Sequence, residues 1–112
     1  MNGNNNLIDS KLNSGRNVKV RELSLDEIAD LNDIANIIFT NGAMSGIRNL
    51  NKAKLAWLRA GLGGGDFEGW SPNGQAPPDS VLKQLSEAER DELVEVIKNS
   101  QYITKKKNSS SV

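Results

Sequence analysis

The side chains most used for catalysis and metal binding are missing from this chain, whose 112 residues include no cysteine and no histidine. Disulfides, thiolate and imidazole metal ligands, and Ser–His or Cys–His nucleophilic pairs are excluded with them. Three groups remain whose types and spacing could do chemistry. Gly61-Leu62-Gly63-Gly64-Gly65 invites comparison with a phosphate-binding loop. It lacks the Gly-Lys-Ser/Thr ending, follows a helical pattern rather than a strand, and leads into no helix whose N-terminus could hold an anion. The plainer reading is a helix C-cap followed by a flexible turn. Asp66 and Glu68 form a close acidic pair of the kind used in acid–base work, but nothing around them suggests a sugar cleft, and they read as solvated loop acids. Arg48, Lys52 and Arg59 could track phosphates, with Trp57 stacking on a base. On a helical wheel, however, Trp57 lies roughly 160° from the centre of that stripe, which assigns it to the core. The acids of residues 26–33 lack the spacing of a calcium-binding loop. The chain therefore reads as non-enzymatic, with no catalytic residue, no cofactor and no metal.

Length and charge set the frame for these groups. The chain is long enough for one small domain, and 14 basic residues balance 14 acidic ones. Zero net charge removes bulk electrostatics as an argument for nucleic acid. No segment approaches the ~20 apolar residues of a membrane span, and the polar, uncharged start Met1-Asn2-Gly3-Asn4-Asn5-Asn6 does not resemble a signal peptide. A soluble, cytoplasmic protein without membrane contact is expected.

The elements that must carry these residues follow from periodicity. Residues 1–16 are rich in Asn, Ser and Gly and are expected to be disordered. Residues 104–112, which include Lys105-Lys106-Lys107, are expected to form a disordered basic and serine-rich tail. Residues 17–103 make a single helical domain. Val18 and Val20 alternate with Lys19 and Arg21, the pattern of one short extended strand without an evident partner. Ser24-Leu25-Asp26-Glu27 is a capping box, with Leu23 placed to staple onto Ile28. The helix it opens is expected to run to about Thr40, with Ile28, Leu31, Ile34, Ala35, Ile37, Ile38 and Phe39 covering roughly 200° of its surface, and Asn41-Gly42 ending it. A second helix is expected over residues 46–60, with Ser45 as N-cap, Ile47, Leu50, Ala53, Trp57 and Leu58 on its apolar face, and Gly61 as its C′ residue. Residues 61–79 fit no period and form a long Gly-rich loop that Phe67 and Trp70 would pin to a surface. A short helix near residues 80–85 and a longer one at 87–101, opened by the capping box Ser86-Glu87-Ala88-Glu89, complete the pattern. Leu93, Val96 and Ile97 form its stripe, with Val94 and Ile103 at the margins. The expected fold is all-α, a small domain of three to four helices.

Charge alternates by helix although it sums to zero. Residues 22–33 hold five acids and no base, residues 48–59 four bases and no acid, and residues 87–95 five acids against Arg90. Adjacent helices with complementary rims explain this pattern, and so does the docking of one copy's basic stripe onto another's acidic face. Residues 23–62 also have a helix-turn-helix outline, but its turn falls where Ile34-Ala35-Asn36 continues the expected helix.

Two segments, Val18-Lys19-Val20-Arg21-Glu22-Leu23-Ser24 leading into a helical body and Leu85-Ser86-Glu87-Ala88-Glu89-Arg90-Asp91-Glu92-Leu93, together with the lysine-containing tail, resemble the small tail assembly chaperones and minor tail proteins of long-tailed bacteriophages. The resemblance implies a non-catalytic phage or prophage protein of the host-cell cytoplasm that shields a tape-measure or tail-tube partner during assembly. The favoured reading is protein–protein interaction through Leu62, Phe67 and Trp70 of the loop, with a protein partner such as a tail component, or with further copies as a homo-oligomer. The alternative is a small nucleic-acid-binding or regulatory protein using the basic face Arg48, Lys52 and Arg59; nucleic acid is the less favoured partner.

Overall fold

The computed structural model describes residues 7–72 and 74–110, with side chains described through residue 101. Residues 1–6 of the expected N-terminal segment, Asn73 of the loop, residues 111–112, and the side chains of Ile103 and the three tail lysines lie outside the described residues.

The fold is mixed, not all-α. Its order is β1 (Leu7–Lys11), β2 (Asn17–Arg21), α1 (Leu25–Asn32), β3 (Asn36–Thr40), β4 (Ala43–Arg48), α2 (Leu50–Gly61), β5 (Leu62–Gly65), α3 (Asp79–Leu82) and α4 (Glu87–Ser110). Two antiparallel sheets result, one of order β1-β2-β5 and one formed by β3 and β4 alone. The strand read from Val18 and Val20 is present, but it is central rather than unpartnered. On one side it pairs with β1, Leu7 opposite Arg21 through Lys11 opposite Asn17. On the other it pairs with β5, Val18 opposite Gly65.

The expected disorder of residues 1–16 is overturned for residues 7–16. The β1–β2 turn is closed by the Leu12 amide donating to the Arg16 carbonyl at 2.9 Å and the Gly15 amide donating to the Leu12 carbonyl at 2.8 Å. Leu12 is buried in the core, an anchor that polar neighbours concealed. Of the tail expected at 104–112, the described residues 104–110 continue α4, which runs to Ser110.

The first expected helix stops early. α1 has the capping box as read, with the Glu27 amide donating to the Ser24 hydroxyl and the Ser24 amide donating to the Glu27 carboxylate. It ends at Asn32, and the chain from Asn36 onward extends. Ile37, Ile38, Phe39 and Thr40 are β-branched or aromatic and favour a pleated strand. Asn41 and Gly42 both have positive φ, 54° and 83°, the signature of a type I′ hairpin turn. The second expected helix loses its first turn to β4, which pairs with β3 across the hairpin turn, and starts at Leu50. A strand therefore stands where a helix-turn-helix would need its second helix.

The core lies between the three-stranded sheet and the helices. Val18, Val20 and Leu62 from the sheet meet Trp57 and Leu58 of α2, Val81 and Leu82 of α3, and Leu93, Val94 and Ile97 of α4. Trp57 is core, as its wheel position requires. Gly61 is the last residue of α2 rather than a left-handed cap. A Cβ built there would stand 2.5 Å from the Ile97 Cγ2, so glycine is needed for the close approach of α2 to α4. Lys54 and Asp91 join the same two helices at 2.8 Å, an instance of the complementary rims. Gln101 is buried at the end of β2: its carbonyl oxygen accepts from the Leu23 amide at 2.8 Å and its amide donates to the Arg21 carbonyl at 2.9 Å. One side chain thus satisfies backbone groups that no strand reaches.

Candidate protein-binding surface

The loop favoured from sequence is held against the body. Leu62 is fully buried, at 0% exposure, because it belongs to β5 and packs into the core. That corrects its assignment as a contact residue. Phe67 and Trp70 are half-buried against the core cluster, with ring centroids 5.6 Å apart in an edge-to-face arrangement. They pin the loop to its own domain.

Arg16 fastens that loop. Its guanidinium sits 5.1 Å over the Phe67 ring and donates to the Asp66 carbonyl at 2.6 Å, the Gln84 carbonyl at 3.1 Å and the Glu89 carboxylate at 2.9 Å. Glu89 is also the N3 residue of the second capping box and accepts from the Ser14 hydroxyl at 2.7 Å. The Ser86 backbone amide, then the Arg16 and Ser14 side chains, hold its carboxyl down at about 2. Asp66 is structural as well: its carboxylate accepts from the Asn17 amide at 3.0 Å. Glu68 remains a solvated loop acid beside Gln84, which bonds the Glu68 backbone in both directions at 2.9 Å.

The basic stripe is not assembled as one face. Arg48 lies on β4, whereas Lys52 and Arg59 lie on α2. Arg59 donates to the Pro77 carbonyl and pairs with Asp79, whose carboxyl it holds below the usual range by hydrogen bonding and charge. Only Arg48 and Lys52 of the three stand exposed without an ion pair among the described residues.

The surface that stands out was read from sequence as helix. The β3–β4 hairpin pairs Ile37 with Ile47 and Phe39 with Met44, and the register shifts between Ile38 and Phe39. Paired residues share a face, as do residues two apart on one strand, so these four side chains lie together. Met44 and Ile47 would fall on opposite faces of a regular strand. The bulge at Ser45 brings them to the same one, with the Ser45 hydroxyl donating to the Ile38 carbonyl and accepting from Thr40. Exposure is 56% at Ile37, 64% at Phe39, 62% at Met44 and 45% at Ile47. The hairpin leaves the body after α1 and returns at α2, and its principal packing is between its own two strands. Leu50, the first residue of α2, is also exposed. It lines an open groove of about 340 Å³ between α1, α2 and α4 whose walls are mixed, with Trp57 and Val94 beside Lys54, Asp91, Glu95 and Lys98. Asn41-Gly42, preceded by the β-formers Ile37, Ile38, Phe39 and Thr40, was the sequence signal for the hairpin surface.

No membrane-crossing helix, and no cluster of three acidic side chains able to hold a metal ion, occurs among the described residues. Comparison of the chain with protein-family models, with curated proteins and with solved structures found no match in any of the three.

Proposed function

We propose that this chain is a non-catalytic protein-binding domain that presents the apolar face of its β3–β4 hairpin to a partner. The observation that carries this reading is the exposure of Ile37, Phe39, Met44 and Ile47 together on one face. Monomeric soluble proteins rarely leave contiguous apolar patches beyond a few hundred Å² uncovered. A two-stranded hairpin alone in water is marginal, and packing stabilises it. The resemblance of residues 18–24 and 85–93 to tail assembly chaperones supplies a setting, shielding of an apolar phage component in the host cytoplasm, and an arm with an apolar face suits that work. Nucleic-acid binding draws less support, because Arg59 and Lys54 are already paired within the domain.

A photo-crosslinking amino acid placed at Phe39 or Met44 tests the reading in cells expressing the full chain. Adducts are expected from both hairpin positions and not from Lys83, an exposed residue of the body. Absence of any adduct from the hairpin overturns the proposal.

A further inference from the structure

Resting on the hairpin reading, we infer that its occupant is a second copy of this chain, the two hairpins stacked face to face about a two-fold axis along the strands. Two observations bear on that pairing, the first on who the partner is and the second on how strongly it is held. The first is charge at the hairpin's base. Asp30 and Asp33 stand exposed at the C-terminal end of α1, where the helix dipole is negative and no basic residue occupies the last turn. Lys52 stands exposed in the first turn of α2, where the dipole is positive and no acid is present, and Arg48 precedes it on β4. Both flanks therefore carry charge of the wrong sign for their own helix, and the signs are opposite to each other. A partner of one sign would be repelled by one flank. A second copy, related by that axis, lays β3 over β4 and sets each acidic flank against a basic one. None of these four residues takes part in an ion pair among the described residues.

The second observation is size. The exposed parts of Ile37, Phe39, Met44 and Ile47 amount to roughly 450 Å² per copy, or about 900 Å² for two, in the size range of weak, transient interfaces. That area matches a weak, exchanging dimer rather than an obligate one. Isologous pairing is also the commonest way for a self-complementary patch to close.

Sedimentation equilibrium on the full chain, at low and high salt and across protein concentration, tests the inference. Wild type is expected to show a monomer–dimer equilibrium that tightens at low salt, and Phe39→Glu to weaken it at least roughly tenfold. A chain carrying Asp30→Lys with Asp33→Lys, and one carrying Arg48→Glu with Lys52→Glu, are each expected to pair less well than wild type. Mixed in equal amounts they are expected to recover a dimer at low salt. Circular dichroism of each variant checks that the body stays folded. A chain that remains monomeric up to about 1 mM, or a dimer that survives Phe39→Glu, overturns the inference. Monomer together with crosslinks to a different protein leaves the hairpin's binding role standing without the self-pairing. Monomer with no crosslink removes both.

Discussion

Gly61→Val is expected to destabilise the domain by about 3 kcal/mol, at the upper end of what overpacking costs. The last turn of α2 lies so close to α4 that a Cβ at this position meets three atoms of the Ile97 side chain, at 2.5, 2.9 and 3.0 Å. Contacts that short do not survive, so Ile97 must leave its rotamer or the helices must part. Ile97 is fully buried, which leaves it nowhere to turn. Parting the helices would strain the Lys54–Asp91 pair and open the core around Leu58 and Leu93. Urea denaturation measures the loss as a lower midpoint at unchanged slope. The partner variant identifies the cause. Ile97→Ala alone creates a cavity and costs about 2–5 kcal/mol, but in its presence Gly61→Val is expected to cost far less, because the added methyls fill the vacated volume. A coupling of at least about 1 kcal/mol is the signature of direct contact; additive costs would contradict the packing described.

Arg16→Met is expected to cost about 2–3 kcal/mol, because it removes three donor nitrogens, one from each of three acceptors, and leaves the Glu89 carboxylate half-buried beside fewer partners. Methionine keeps the apolar stem but loses the guanidinium over Phe67, so the loss combines hydrogen bonding, charge and that stacking contact. The same site sets an acid limit. Glu89 has its carboxyl at about 2 in the folded domain against 4.5 ordinarily. Above about pH 5 the group is ionised in both folded and unfolded chains and its contribution is complete. As pH falls from 4.5 towards 2 the unfolded chain takes up the proton first, so stability declines across that window. Glu89→Gln is expected to be less stable than wild type at pH 7, with the difference shrinking by pH 2. A constant difference over that range would contradict the assignment.

How far the sequence revealed this fold depends on which elements specify themselves. Both capping boxes, Ser24 with Glu27 and Ser86 with Glu89, are local devices, and both helices begin where those residues place them. The short helix before the second box and the buried Trp57 were also legible. Val18 and Val20 disclosed β2 by alternation, but its partners were hidden. β1 offers only Leu7 and Ile8 as apolar residues, and β5 is Leu-Gly-Gly-Gly, with no period at all. Each becomes a strand only because β2 lies beside it with unpaired backbone groups, and that information is non-local. Residues 34–39 misled for a different reason. A nearly continuous apolar run fits a helix and a strand alike, and an arc of some 200° was itself a warning that the helical period did not select a face. Asn41-Gly42 can end a helix or turn a hairpin, and Ile37, Ile38, Phe39 and Thr40 before it decide for the hairpin. Leu62 was misplaced because the glycines after it suggested a flexible loop, when they mark a strand in close contact with its neighbour.

The pairing of Asn36 with Arg48 means that the chain departs from the body and comes back at nearly one point. None of residues 36–48 belongs to the buried core cluster, so the arm's amides are expected to exchange with solvent by local opening, ahead of global unfolding. Evolution can act on that division of labour. Changes between residues 37 and 47 can retune what the arm recognises, while the stability of the body is inherited unchanged, so a new partner can be acquired without a new fold.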